Sequence, residues 1–197
     1  MLLSTLFLSL LGCTPELNDD TQTEWHTEVK DTNDHVTQVD WVEESCIVSV
    51  NDSYCNFSFM DQHGNHRSLS EFDGSYVLLD FSAMWCAPCR SAAAGVDSFQ
   101  SKYSQYNFHY VTVLIEDNTG ATLEQDDLVS WATDYNITQL ILAGNRSLLQ
   151  SSGGPYYLQS WPTFYYINKN GIVEHYQGGY SDASLTQNVE YLLRDEL

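Results

Sequence analysis

Basic residues are scarce. Seven Lys and Arg (Lys30, Arg67, Arg90, Lys102, Arg146, Lys169, Arg194) stand against 27 Asp and Glu in 197 residues, a formal net charge of −20. They are scattered, so phosphate backbones and anionic membrane surfaces meet a repelling chain. That excludes nucleic-acid binding and basic-patch membrane binding. Long apolar runs are also missing: none approaches the ~20 residues a spanning helix needs. The six histidines (His26, His35, His63, His66, His109, His175) have no metal-binding spacing and read as solvated surface. The one closely spaced cysteine pair lacks the second pair that a zinc site would require. No metal or other cofactor is implied. There is no internal repeat and no low-complexity tract. What remains is 43% hydrophobic and 13% aromatic, too apolar for wholesale disorder and long enough for one domain with a real core.

Met1 to Leu11 is almost wholly apolar (Leu2, Leu3, Leu6, Phe7, Leu8, Leu10, Leu11) and leads to Gly12 and Cys13. Their length fits the apolar region of a secretory signal, so residues 1–12 read as a signal peptide. Leu10-Leu11-Gly12-Cys13 resembles the bacterial lipobox, in which the cysteine is lipidated and begins the mature chain. Buried acyl carbons, worth ~0.8 kcal/mol each, would then tether the protein. Thr14 after that cysteine favours the outer membrane by the usual sorting rule. An ordinary cleaved signal, with Cys13 incidental, is the alternative.

Residues 13–45 change character. Ten acids between Thr14 and Glu44 face the single Lys30, among Thr, Asn and Gln. Such a stretch cannot bury enough apolar surface to offset its ordering, so it reads as a solvated, self-repelling tether. Trp25 and Trp41 are its only hints of local docking. The folded domain is expected over 46–197.

Within that domain, residues 47–50 read as a strand, Asn51-Asp52 as a turn and 54–59 as a second strand. Residues 61–65 form a turn around Gly64, and 69–73 a short connector. Tyr76 to Phe81 is a continuous apolar run broken only by Asp80, the mark of a strand buried on both faces. A helix is expected over 86–106, a buried strand over 109–115, a helix over 123–135 and a brief strand over 140–142. Residues 163–167 and 172–177 flank Asn168-Lys169-Asn170-Gly171, a hairpin signal, and a helix over 185–193 closes the chain. This order implies an α/β sheet covered on both faces.

The chemistry sits at Trp85-Cys86-Ala87-Pro88-Cys89. Two thiols three positions apart, after a buried strand and opening a helix, suit reversible disulfide exchange. Unpaired N–H groups and the dipole at a helix start favour thiolate over thiol. Cys86 is therefore expected to be the exposed nucleophile and Cys89, one turn in, the resolving thiol. Pro88 at the helix start forfeits no backbone hydrogen bond.

Here a family resemblance enters. Phe57-Ser58-Phe59 with Asp61 and Gly64, then Leu69, Gly74 and Val77 through Arg90, resembles the thioredoxin superfamily. More narrowly it resembles the exported TlpA/ResA branch of thiol–disulfide oxidoreductases. Trp161-Pro162-Thr163-Phe164 is similar to the cis-proline loop of that fold, and Gly178-Gly179 to its following glycine turn. The resemblance implies a central mixed β-sheet flanked by helices, with an N-terminal β-hairpin extension. It implies that Trp85, Pro88, Trp161 and Pro162 line the substrate face, with the backbone of Trp161 free to pair with an extended segment. Aromatics around the loop are mostly core, although one of Tyr156 or Tyr157 could join that groove. It also places a buried acid at Asp80, accepting the proton of the resolving thiol; desolvation should raise its pKa toward neutrality. Residues 91–95 lack the acid and the kink-forming proline that relatives carry in this helix. Implied partners are exported proteins bearing thiols or disulfides and a membrane thiol reductase or oxidase upstream.

Cys13, Cys86 and Cys89 leave Cys46 and Cys55, separated by eight residues. A structural disulfide across the expected hairpin suits an oxidising compartment; two buried free thiols or a second redox centre are the alternatives. A thiol peroxidase is a second functional reading. Peroxiredoxin sites resemble Pro-x-x-x-Thr/Ser-x-x-Cys, and Leu79, Ala83 and Cys86 occupy those places. A non-catalytic binding module is a third. Location follows the lipobox: periplasmic and lipid-anchored. Arg194-Asp195-Glu196-Leu197 resembles a retrieval signal and keeps the endoplasmic-reticulum lumen as the alternative.

Overall fold

A computed structural model describes residues 40–197. Cys13, the signal segment and most of the expected tether lie outside the described residues. Strand pairing starts ahead of the expected domain boundary: β1 (Trp41–Val42) pairs antiparallel with β2 (Phe57–Met60), which pairs with β3 (His66–Ser68). The last residues assigned to the tether thus belong to this small sheet, where Val42 packs on the core beneath.

The main sheet has five strands. β4 (Tyr76–Ser82) is central and runs parallel to β5 (Phe108–Leu114), which is parallel to β6 (Ile141–Ala143). On its other side β4 pairs antiparallel with β7 (Thr163–Ile167), and β7 with β8 (Val173–Gly178). The mixed sheet is the thioredoxin-like architecture expected, with the N-terminal hairpin β2–β3 beside it.

All seven residues of β4 are buried, which explains its nearly unbroken apolar run. Alternation sends Tyr76 and Leu78 into one core cluster and Val77, Leu79 and Phe81 into another. The first cluster takes residues from all four helices: α1 (Ala87–Ala93), α2 (Val96–Tyr103), α3 (Gln125–Tyr135) and α4 (Asp182–Leu192). The second is closed by Phe57 and Phe59 of β2 and by Leu148, Leu149 and Tyr156 from the β6–β7 connection.

Three local expectations are corrected. Residues 47–50 form no strand: Ile47 is 67% exposed while Val48 is buried, and Val48 N–H bonds Pro155 O at 3.0 Å. Residues 51–54 instead follow the start of β8, through Asn51 N–H to Val173 O (2.8 Å) and Tyr54 N–H to Gly171 O (2.9 Å). That contact covers part of an open sheet edge. The helix expected over 86–106 is split, because Gly95, a poor helix former, interrupts it and caps α2. α4 starts three residues early, since Ser181 caps it by accepting the Ser184 N–H.

Phe81 is fully buried, with Tyr156 and Tyr165 rings centred 5.0 and 5.8 Å away. Phe81→Ala should lower unfolding free energy by about 3–5 kcal/mol in urea titrations; a loss under about 1 kcal/mol would contradict this packing.

Candidate active site

The dithiol lies where β4 leaves the core. The strand ends at Ser82, three residues cross to Trp85, and α1 begins with Cys86 as its N-cap. The crossing is tied on two sides: Met84 N–H bonds Glu116 O (3.0 Å), and Arg90 Nη1 donates to Met84 O (2.8 Å). Cys86 and Cys89 are joined as a disulfide with Cα atoms 5.2 Å apart. Cys86 Sγ also accepts the Cys89 N–H at 3.2 Å, and Pro88 sits in the first turn. The expectation of an exposed Cys86 is corrected. It is 2% exposed and Cys89 fully buried, because the cap folds the sulfur back over the first turn, into the cluster of Ala83, Met84 and Ala92.

Trp161-Pro162 is a cis peptide. β7 runs antiparallel to β4 with Thr163 opposite Phe81, so Pro162 falls at the end of the sheet where the dithiol starts. Trp161 meets Trp85 edge-on, ring centres 5.7 Å apart. Two segments separated by 76 positions therefore form one aromatic rim, on which Trp85 is 41% exposed. Thr163 Oγ1 donates to Ser160 O (2.6 Å) and accepts from Gln159 and Ser160 N–H, holding the loop from behind. No hydrogen bond among the described residues engages the Trp161 backbone. Of the two tyrosine candidates, Tyr156 is fully buried in the core, and Tyr157, 46% exposed, is the one at the surface.

Asp80 is 1% exposed and alternates onto the face of β4 that carries Tyr76 and Leu78, the face packed by α1 and the cysteines. Ser82 Oγ donates to one carboxylate oxygen (2.7 Å) and the Tyr110 hydroxyl to the other (3.0 Å). Burial dominates and pushes its pKa up to about 7, with the two donors pulling the other way. Tyr110 keeps its proton, because burial and then the Asp80 charge raise its pKa further. It is a permanent donor to this carboxylate.

Glu116 and Arg146, which meet beside the dithiol, escaped the sequence reading. Glu116, buried just beyond β5, accepts the Trp85 indole N–H (2.8 Å) and pairs with Arg146 from the β6–β7 connection. A carboxylate directly after the apolar run Leu114-Ile115 marks a strand end, but nothing local assigns it to a tryptophan 31 positions earlier. Cys46 and Cys55 are joined as a disulfide, with Cα atoms 5.8 Å apart.

A family model described as AhpC/TSA matches residues 50–176. The chain belongs to the AhpC/TSA family. Thioredoxin-like protein YneN of Bacillus subtilis is 27% identical over 119 residues, 60% of this chain and 65% of that protein. Thiol-disulfide oxidoreductase ResA of Oceanobacillus iheyensis is 27% identical over 106 residues, covering 54% and 50%. The chain thus spans half to just under two thirds of these relatives. Among solved structures, the thioredoxin domain of a Bacteroides vulgatus thiol-disulfide oxidoreductase superposes with TM-score 0.61 at 17% identity, over 73% of this chain and 97% of that one. The exposed lipoprotein thioredoxin of Streptococcus pneumoniae gives 0.56 at 24%, over 69% and 98%. The thioredoxin fold of this AhpC/TSA member is shared with both.

The raised pKa of Asp80 has a stability consequence. An acid whose folded pKa lies above its unfolded value of 3.8 favours the fold most when protonated, below pH 3.8. That stability is lost as pH climbs through about 7, on the order of 4 kcal/mol in all. Asp80→Asn should therefore be more stable than the parent at pH 8, by about 1–3 kcal/mol, with the gain shrinking toward pH 4. Denaturant titrations across that range check it; a gain that grows toward low pH would reverse the assignment.

Proposed function

We propose that this chain is a thiol–disulfide oxidoreductase that exchanges disulfides with other proteins through Cys86 and Cys89. One observation carries the reading: a cystine at a helix start lies beside a proline loop whose Trp161 packs on the Trp85 preceding it. The similarity to ResA supports the same chemistry.

In the reducing direction, the Cys86 thiolate attacks one sulfur of a substrate disulfide, forming a mixed disulfide and expelling the other sulfur as thiolate. The Cys89 N–H now bonded to Cys86 Sγ would stabilise that initial anion. Asp80 takes the proton of Cys89, whose thiolate attacks Cys86 Sγ. The substrate leaves as a dithiol, and the Cys86–Cys89 disulfide remains. Two electrons pass to the substrate, and an upstream dithiol restores them. The run backward oxidises a substrate dithiol. Which direction prevails depends on the reduction potential relative to the partner.

An extended substrate segment would lie along the rim of Trp85 and Trp161, pairing with the unoccupied backbone of Trp161. The peroxidase reading is weaker although the family name admits it. The places of the peroxidatic proline and hydroxyl hold Leu79 and Ala83, both fully buried and apolar. We further place the protein outside the cytoplasm, tethered by lipid on Cys13 through an acidic spacer, with exported proteins as substrates. The lipobox-like residues 10–13 support this, as does the neighbour described as an exposed lipoprotein thioredoxin.

Dithiothreitol-coupled reduction of insulin tests the activity. Cys86→Ser should abolish turnover, whereas Cys89→Ser should accumulate a mixed disulfide with substrate, seen by mass spectrometry. Trapping by Cys86→Ser instead would invert the roles of the two thiols. Asp80→Asn should slow decay of the mixed disulfide about ten- to a hundredfold near neutral pH. The defect should fade at high pH, where Cys89 ionises unaided; an unchanged neutral rate in rapid mixing would leave Asp80 without a part in proton transfer.

A further inference from the structure

The disulfide between Cys46 and Cys55 closes a short covalent ring that contacts the β6–β7 connection. Val48, two residues into it, is 4% exposed and donates its N–H to Pro155 O at 3.0 Å. Tyr156, the next residue along, sends its hydroxyl to the backbone carbonyl of Cys55, itself fully buried. The disulfide loop thus grips two consecutive residues of the β6–β7 connection. Five residues later that connection becomes Trp161-Pro162.

Little slack lies between the grip and the proline. Tyr156 is fully buried, with its ring edge-on to Tyr165 (5.2 Å) and close to Phe81 (5.0 Å). The Tyr165 hydroxyl donates to Tyr157 O at 2.6 Å. Thr163 then ties Gln159 and Ser160. From Pro155 to Thr163 the chain is held at nearly every second residue; at its start Pro155 and Tyr156 are fixed both by the disulfide loop and by backbone bonds of Tyr156 with Leu148 and Gln150. A short covalent ring is a stiff anchor, because closing it removes most of the conformations its backbone could otherwise adopt.

We propose that the Cys46–Cys55 disulfide, acting through Tyr156, positions the Trp161-Pro162 loop that receives a protein substrate. The proposal rests on the oxidoreductase reading above. Cys46 and Cys55 take no part in electron transfer; they set where the substrate-pairing backbone sits relative to Cys86. Neither sulfur lies in the cluster that holds the reactive pair. The effect is therefore confined to polypeptides that use the loop, and small disulfides that need only Cys86 escape it.

The test compares the full chain with Cys46→Ser/Cys55→Ser and with Tyr156→Phe, which keeps the disulfide and the ring but loses the bond to Cys55. Each is assayed on insulin and on 5,5′-dithiobis(2-nitrobenzoate), with near-ultraviolet circular dichroism reporting the fold. The double variant should raise KM for insulin about three- to tenfold with kcat little changed, the pattern of lost substrate binding. Tyr156→Phe should shift KM the same way by a smaller factor. Rates on the small disulfide should stay within about twofold of the parent. Equal losses on both substrates in a folded variant would overturn the proposal, as would an insulin KM unchanged in Tyr156→Phe. If the double variant does not fold, Tyr156→Phe decides alone. A parent chain inactive on both substrates would instead refute the oxidoreductase reading.

Discussion

A strand that is dry on both faces has to hand its chain over to something else the moment it reaches the end of the core. β4 is such a strand, and every group of the site is placed relative to it. Its even-numbered residues face the helices and its odd-numbered ones the hairpin and the β6–β7 connection. At Ser82 the apolar layer stops, and within five residues the backbone has turned into α1. The cysteines stand at that turn, where unpaired N–H groups are available and the sulfur pair is buried at the end of the core. The neighbouring strands repeat the logic: β5 ends at Leu114, two residues before the Glu116 that holds Trp85, and β7 begins directly after Pro162.

Against this apolar background Asp80 is the outlier. A carboxylate buried in the sheet opposes folding at neutral pH, and two hydroxyl donors only reduce the penalty. An apolar residue there would pack at lower free energy. Natural chains give up stability at places where chemistry requires a group. An acid poised near pH 7, on the face of the sheet shared with a dithiol, is suited to moving a proton in either direction.

The two faces of the sheet divide the work. The helix face holds the sulfur pair and its acid. The other face, closed by β2, Tyr156 and the Cys46–Cys55 ring, holds the loop proposed to receive the substrate. Trp85 against Trp161 is where they join. On the proposed function, reactivity and recognition rest on separate cores that meet at Trp161.

The sequence by itself determined the elements whose signals are local. The limits of β7 agree to the residue, because a hairpin turn and an apolar run bracket it. β4 and the Cys-x-x-Cys at a helix start were legible for the same reason, and so was the burial of Asp80 within that run. Only the tertiary structure decided the rest. Residues 47–50 carry a strand-like pattern, yet the available edge of β8 takes residues 51–54 and leaves Ile47 in solvent. Tyr156 and Tyr157 are indistinguishable by type and spacing; one becomes core and the other surface because Phe81 and Tyr165 leave room on one side only. The burial of Cys86, the hold of Glu116 on Trp85 and the grip of Cys55 on Tyr156 are contacts between segments 3 to 101 positions apart. Composition and periodicity describe what a residue prefers. They carry no information about which distant backbone the fold will bring within 3 Å of it.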